Sequence, residues 1–117
     1  MRAERDYSDY LHDIIEYAQK AMNFLEGIDL DGFKLNDEKS LAVIRALEVI
    51  GEAARHIPKS ARKKYPKVPW EDMTGIRDKL IHDYVGVDME VIWRTVKEDL
   101  PAMKDAVQEI LPDFEQK

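Results

Sequence analysis

Residues 68–84 read VPWEDMTGIRDKLIHDY, a stretch whose apolar side chains recur at steps of three and four residues. That spacing predicts a long helix that begins near Trp70 and ends at Tyr84 or Val85. The predicted apolar face of this helix consists of Trp70, Met73, Arg77, Leu80, Ile81 and Tyr84. Arg77 lies at the centre of this face, because the other members lie within roughly 60° of its direction. A core helix does not normally carry a charge there.

The charge of Arg77 has two explanations. A guanidinium that is dry and unpaired costs on the order of several kcal/mol, so Arg77 must meet either a carboxylate or water. In the first explanation Arg77 forms a buried ion pair with a residue such as Glu48 or Glu52. In the second, the apolar face borders a wet cleft. The sequence leaves both open.

The position of His82 favours a site made by two chains. His82 lies about 140° round the helix from Arg77, beside Asp78. One straight helix therefore does not easily aim Arg77, His82 and Tyr84 at one small ligand. A twofold-related second chain would complete such a site, and Gly86 permits the last turn to re-orient. We therefore expect a homodimer, although His82 taken alone is also typical of a surface or capping histidine.

Two helices are predicted before this one. The first covers residues 3–26, ends at Gly27 and is followed by a connecting loop over residues 28–35. Its apolar stripe is Tyr7, Leu11, Ile14, Ile15, Ala18, Met22 and Leu25. The second is capped by Asn36 or Asp37 and closed by Pro58. Its stripe is Val43, Ile44, Leu47, Ile50, Gly51 and Ala54, in which Gly51 permits the close approach of another helix.

A last helix is predicted after Asp88, which is its expected cap. Its apolar face consists of Ile92, Val96, Leu100, Met103, Val107 and Ile110. Pro101 interrupts this helix, but the face keeps its phase across the proline, so we expect one bent helix or two abutting ones. The fold class is therefore all-α: an antiparallel bundle of four main helices in one domain, residues 1–117, with a short extra helix or turn before Pro66.

Composition excludes several classes of protein. The chain has no cysteine, so neither a disulfide framework nor a thiolate metal site is possible. We also expect no metal and no cofactor. Its N-terminal residues lack the apolar core of a signal peptide, and no apolar run has membrane-spanning length. We therefore expect a cytoplasmic protein that does not enter a membrane.

Charge is distributed unevenly along the chain. The formal net charge is −6, yet residues 55–67 contain six basic side chains and no acid. The six are Arg55, Lys59, Arg62, Lys63, Lys64 and Lys67. Such a segment is most often a solvated loop, but beside a cleft it can hold a phosphate backbone even in an acidic protein. We regard it as a candidate RNA-backbone patch.

Arginine, histidine and a polar helper without a metal fit few chemistries, and phosphodiester transfer in RNA is the natural one. A histidine can move the proton of the 2′-hydroxyl or of the leaving 5′-oxygen. An arginine stays charged and grips phosphate oxygens with its planar fork. In this interpretation Arg77 stabilises the phosphorus centre, His82 transfers protons and Asp78 is the helper.

The same residues resemble the HEPN superfamily, and within it the HepT-like toxins of bacteria and archaea. Members carry an arginine, a polar residue and then a histidine after four to six intervening residues; here Arg77, Asp78 and His82 fit with four, and Tyr84 stands two positions beyond. ALEVIGEAA at 46–54 and GVDMEVIWRTVKEDLP at 86–101 extend the resemblance. It covers most of the chain from about residue 41 to residue 111.

The resemblance implies a homodimeric, metal-independent endoribonuclease paired with a minimal nucleotidyltransferase antitoxin. It implies that Arg77 and His82 are catalytic, that Asp78 is their helper and that Tyr84 is a regulatory target for adenylylation. Glu52 lies in the second-helix signature and is expected to have a supporting role. Asp78 replaces the asparagine of many members, which puts an extra negative charge beside the substrate phosphate.

Two alternatives remain from the sequence. One is a carboxylate-bridged metal protein, for which His12 with Glu16 and Glu52 with His56 have four-residue spacing. The expected Glu-x-x-His pairs are absent from the sequence, which argues against it. The other is a HEPN dimer that binds a nucleotide or a nucleotidyltransferase without cutting RNA.

Overall fold

The computed structural model describes residues 5–82 and 88–115, with the exception of the side chains of Arg77, Lys79, Ile81 and His82. Its helices are α1 Tyr7–Phe24, α2 Leu30–Lys34, α3 Asp37–Arg55, α4 Lys59–Lys63, α5 Trp70–His82, α6 Met89–Arg94 and α7 Leu100–Glu115, and a π-helical turn, Thr95–Asp99, joins α6 to α7. No strand occurs in these residues, so the all-α class is confirmed. Helix α1 packs against both α3 and α7, and α3 packs against α5.

Helix α1 begins later than the sequence predicts. Asp6 forms a capping box with Asp9: its carboxylate accepts a hydrogen bond from the Asp9 N–H at 3.2 Å, and its own N–H donates to Asp9 Oδ2 at 3.1 Å. Arg5 and Asp6 are therefore outside the helix, and the predicted start at residue 3 is wrong. The helix ends at Phe24, and Gly27 adopts a φ of 72° in the turn that follows.

The segment after this turn is not the loop that the sequence predicts. Helix α2 forms there, because the Asp29 carboxylate accepts a hydrogen bond from the Gly32 N–H at 2.8 Å and so caps its first turn. Phe33 of this short helix is 0% exposed and joins the main hydrophobic core. Burial of one large side chain thus makes an ordered helix from a segment whose glycine and aspartates are typical of a turn.

Helix α3 follows the prediction closely. Asn36 caps it by accepting a hydrogen bond from the Lys39 N–H at 3.0 Å. Of the predicted stripe, Val43, Leu47, Ile50, Gly51 and Ala54 are buried and Ile44 is half-buried. The short extra helix is also confirmed, as α4. Because α3 packs against both α1 and α5, it fixes the position of the motif helix relative to the core.

The buried face of α5 is wider than the predicted stripe. Trp70 and Met73 are buried as expected, and Leu80 is half-buried, but Ile76, which the predicted stripe omits, is only 4% exposed. Ile76 lies about 100° round the helix from the direction of Arg77. The side chain of Arg77 is outside the described residues, so its predicted place at the centre of the face stays a prediction.

The last helix keeps one buried face through Pro101. Asp88 caps α6 as predicted, and all six members of the predicted stripe are buried. Pro101 has no N–H to donate, and just before it the Leu100 N–H bonds to the Thr95 carbonyl, five residues back. The π-helical turn thus accommodates the proline without a reversal of the chain.

Two polar contacts fasten this long helix to the end of α1. Lys97 Nζ donates a hydrogen bond to the Leu25 carbonyl at 2.6 Å, and Trp93 Nε1 donates to the Ile28 carbonyl at 3.1 Å. Both carbonyls lie at the end of α1 or just beyond it, where the helix can no longer supply N–H partners. These two hydrogen bonds therefore hold the turn after α1 against the segment from α6 to α7.

Candidate active site

The motif residues lie on α5 or just after it. Arg77 and His82 are both within Trp70–His82, but their side chains are outside the described residues, as is the whole of Tyr84. The predicted gathering of these three side chains in one cleft is therefore outside what the structure describes. The surroundings of the site are defined instead by the described neighbours on α3 and α5.

Asp78, the predicted helper, faces the C-terminal end of α3. Arg55 Nη2 donates a hydrogen bond to Asp78 Oδ1 at 3.3 Å, and it also reaches the Thr74 carbonyl at 3.5 Å. The Asp78 side chain is 76% exposed, so its carboxylate is both paired and open to solvent. The extra negative charge beside the motif thus has a counter-charge from another helix.

The two carboxylates that were candidate partners for Arg77 are not buried. Glu52 Oε1 lies 3.5 Å from His56 Nε2, and the Glu52 side chain is 53% exposed. Glu48 Oε1 lies 3.9 Å from Arg45 Nη1, and the Glu48 side chain is 41% exposed. An ion pair of Arg77 with either of them would be solvent-accessible. This geometry favours the wet cleft over the buried ion pair.

Beside Glu52 lies a cleft between α1 and α3 that the sequence did not indicate. It has a volume of about 350 Å³ and is lined by residues of both helices. The Tyr10 ring stacks on the His56 imidazole with centroids 4.4 Å apart, and the Arg5 guanidinium lies 4.7 Å from the Tyr10 centroid. Arg5 also bonds Asp13 at 2.8 Å, and this hydrogen bond raises the pKa of Arg5.

No short-range pattern could have found this stack, because Tyr10 lies on α1 and His56 just beyond the end of α3, far apart in sequence. The sequence relates His56 only to Glu52, at the four-residue spacing of a possible metal-ligand pair.

The basic segment divides into side chains that hold the protein together and side chains that face solvent. Arg62 Nε donates a hydrogen bond to the Ile57 carbonyl at 2.7 Å, and Arg55 is tied to α5. Arg55 is nevertheless exposed, as are Lys59, Lys63, Lys64 and Lys67. The four lysines and Arg55 are the members of the predicted RNA-backbone patch that reach solvent.

An aromatic contact anchors the end of the basic segment. Trp70 Nε1 donates a hydrogen bond to the Tyr65 carbonyl at 3.1 Å, and the Tyr65 hydroxyl donates to Asp113 Oδ2 at 3.1 Å. The Tyr65 ring lies against Phe114 with centroids 5.4 Å apart. Desolvation, with the bond to Asp113, raises the pKa of Tyr65. The segment is thus held between the start of α5 and the end of α7.

The described residues contain neither a metal centre nor a membrane-spanning helix. In that part of the chain, no group of three or more histidine or carboxylate side chains could hold a metal ion. His12, one of the candidate metal ligands, instead lies with Nε2 2.9 Å from Glu115 Oε2. Within the same residues, no helix combines the length and the apolar character that crossing a membrane requires.

Comparison with known proteins decides the family. The family described as Ribonuclease HepT-like matches residues 14–110, which include the whole of α3 and α5. The chain belongs to this HepT-like ribonuclease family. Its sequence is 43% identical over 107 residues to "Probable ribonuclease HepT" of Thermococcus cleftensis, covering 92% of this chain and 97% of that protein.

Two proteins of Methanocaldococcus jannaschii with provisional RNase names are equally similar. One is 44% identical over 114 residues, covering 97% of this chain and 98% of that protein. The other is 43% identical over 114 residues, covering 97% and 94%. No solved structure matches the chain. The predicted membership of the HepT-like group, and of an endoribonuclease family, is confirmed.

Proposed function

We propose that this HepT-like chain is a cytoplasmic, metal-independent endoribonuclease, the toxin of a pair with a minimal nucleotidyltransferase. The observation that carries the proposal is the family match over residues 14–110, which contains the Arg77-x4-His82-x-Tyr84 motif on and after α5. In this proposal residues 1–117 form one four-helix domain of the HEPN type. The side chains of Asp78 and Glu52 are exposed to solvent, which supports a site that RNA can reach.

The proposed reaction is an internal transesterification of RNA. The 2′-oxygen attacks the phosphorus atom, the bond from phosphorus to the 5′-oxygen breaks, and a cyclic phosphate remains on the first product. His82 takes the proton of the 2′-hydroxyl or delivers one to the leaving 5′-oxygen. Arg77 stabilises the charge on the phosphate oxygens, and Asp78 is its polar helper. Glu52 supports the site from α3, within reach of His56.

The proposal includes a homodimer. Two copies of α5 facing each other across a cleft would bring Arg77 and His82 of both chains to one phosphate, which one straight helix does not easily do. Sedimentation or light scattering at micromolar concentration should therefore give about twice the chain mass of 13.6 kDa. A species of only one chain mass would remove the shared-cleft mechanism.

Cleavage of single-stranded RNA tests the activity directly. Loss of a positioned acid–base group typically costs ~10²–10⁴-fold in rate, so His82→Ala should cut RNA that much more slowly, with Arg77→Ala similarly impaired. Both variants should keep the thermal unfolding of the wild type, and a chelator should leave the wild-type rate unchanged. Equal rates for the wild type and His82→Ala would point to a contaminating nuclease. An inactive wild type that still binds nucleotide or the partner would favour the non-catalytic dimer.

Regulation is proposed at Tyr84, through adenylylation by the partner nucleotidyltransferase. A nucleotide monophosphate on the phenol oxygen would add bulk and negative charge near Arg77 and compete with the RNA phosphate. Intact-mass spectrometry after incubation with the partner and ATP should show added AMP on the wild type but not on Tyr84→Phe. That variant should still cut RNA and should escape inactivation. Full neutralisation without a mass change would mean inhibition by binding alone.

A further inference from the structure

Arg55 contacts one particular turn of the motif helix. Its Nη2 donates to the Thr74 carbonyl at 3.5 Å and to Asp78 Oδ1 at 3.3 Å. Thr74 and Asp78 are four residues apart, so they are the two ends of a single α-helical turn. Arg77, the proposed phosphate-binding residue, belongs to the same turn. Arg55, at the end of α3, therefore contacts the helical turn that includes Arg77.

Part of the Arg55 guanidinium is already engaged within the protein, although the side chain is 43% exposed. Asp78 balances its charge, and the same nitrogen also reaches a backbone carbonyl, which leaves less of the guanidinium for an outside phosphate. Lys64, in the same basic segment, is exposed. The two residues were equivalent members of a basic run in the sequence, but in the structure they have different surroundings.

We infer that Arg55 is a positioning residue for the ribonuclease motif, which acts by orienting the Asp78 carboxylate on the turn that carries Arg77, and that it is not a contact for the RNA backbone. This inference rests on the proposed function. A positioning role and an RNA contact predict different effects of replacing Arg55. A backbone contact contributes to RNA affinity and to its salt dependence, whereas a positioning residue contributes to the rate of the bound complex.

The side chain of Arg55 is 43% exposed, so its replacement by glutamine should leave the fold intact. Arg55→Gln should lower kcat, roughly three- to thirtyfold, because a misplaced catalytic group reacts slowly. KM and the salt dependence of RNA binding should stay near the wild-type values. Lys64→Gln is the matched comparison with the opposite expectation, weaker RNA binding and a flatter salt dependence. Gln108→Ala, at an exposed position of α7, is the control that should leave both kcat and binding unchanged.

The test is a double-mutant cycle with Asp78. Cleavage kinetics are measured for the wild type, Arg55→Gln, Asp78→Ala and the double variant, and thermal unfolding verifies that each is folded. If Arg55 acts through Asp78, adding Arg55→Gln to Asp78→Ala should change kcat by less than about twofold, since the group that Arg55 orients is already gone. Binding is measured with a single-stranded 2′-O-methyl RNA oligonucleotide, which lacks the attacking hydroxyl and cannot be cut.

The possible outcomes are distinguishable. A drop in kcat for Arg55→Gln that largely disappears in the Asp78→Ala background supports the positioning role. An unchanged kcat with a salt slope reduced by about 0.7, the value for one phosphate contact on a single strand, would overturn it and restore Arg55 to the RNA-backbone patch. Fully multiplicative effects of the two substitutions would overturn it as well. A wild type that neither binds nor cuts RNA would instead refute the proposed function, and the positioning role with it.

Discussion

The motif helix α5 and the long helical segment from α6 to α7 differ in how they are held. The long segment is buried at regular intervals from Ile92 to Ile110 and is fastened to the end of α1 by Lys97. Helix α5 is buried at Trp70, Met73 and Ile76 but then reaches Asp78, whose side chain is 76% exposed. The first region is thus buried at intervals along its length, whereas the second also carries an exposed carboxylate, and in the proposed function it is this part that meets the substrate.

This difference has a physical basis. Burying a charged group without a partner costs free energy, so charged residues that act on a substrate contribute little to stability. Such residues must stay near water. The stability of the whole domain must then come from other helices. In this protein α3 packs against α1 and α5, and it carries Arg55, which contacts the motif turn.

The largest expected difference between the two regions is in stability, and a truncation in the long segment measures it. Leu100 is 0% exposed, so Leu100→Ala should lower the free energy of unfolding by about 2–5 kcal/mol. The rate of RNA cleavage per folded molecule should not change, because Leu100 is not one of the proposed catalytic residues. Urea unfolding and single-turnover cleavage measure the two quantities. Gln108→Ala, at an exposed position of α7, is the control and should stay within about 0.5 kcal/mol of the wild type. If Leu100→Ala were as stable as the wild type, the segment from α6 to α7 would not be a main source of stability.

A second test concerns the exposed lysines near the motif helix. Replacing Lys63 and Lys67 together by glutamine should weaken RNA binding and reduce the salt slope by about 0.7 for each phosphate that is no longer neutralised. Stability should hardly change, because both side chains are exposed. Fluorescence anisotropy over a series of salt concentrations measures the slope. Lys34→Gln, on α2 beside the opposite end of α3, is the control. If Lys34→Gln weakened RNA binding as much for each lysine replaced, binding would depend on the net charge of the protein and not on the position of the lysines.

The smallest effect is expected at Tyr65, which links the basic segment to α7. Its raised pKa means that the folded chain keeps the phenol proton at a pH where the unfolded chain, with the ordinary value of 10.0, has lost it. Its contribution to stability is therefore complete below pH 10 and declines as the pH rises above that value. Tyr65→Phe should be slightly less stable than the wild type at neutral pH, and the difference should shrink in alkaline solution. Thermal unfolding over a pH series measures this, and a constant difference would show that Tyr65 does not titrate differently in the two states.

Much of the fold was predictable from local pattern. The caps at Asn36 and Asp88 and the buried stripe across Pro101 follow from side chains that interact with residues three or four positions away. The motif on α5 was likewise visible, because a family signature depends on spacing within one helix. Such short-range rules need no knowledge of what packs against the helix.

Other features depended on contacts between distant parts of the chain. Helix α2 exists because Phe33 enters the core, and Ile76 is buried on α5, a helix that packs against α3. The stacking of Tyr10 on His56 joins two helices that no local pattern relates. Each of these was missed or misplaced, since periodicity measures which residues share a face but not which partner the face meets.

The sequence by itself determined the all-α class, the caps at Asn36 and Asp88 and the family motif, because these depend on hydrogen bonds and apolar spacing within single helices. Only the tertiary structure decided which partners the basic side chains have within the protein. Arg55 and Lys64 are both exposed members of one run of charges, yet Arg55 reaches Asp78 on α5 at 3.3 Å. The reason is physical: the role of a charge is set by the nearest opposite charge in space, and that neighbour lies 23 residues away along the chain.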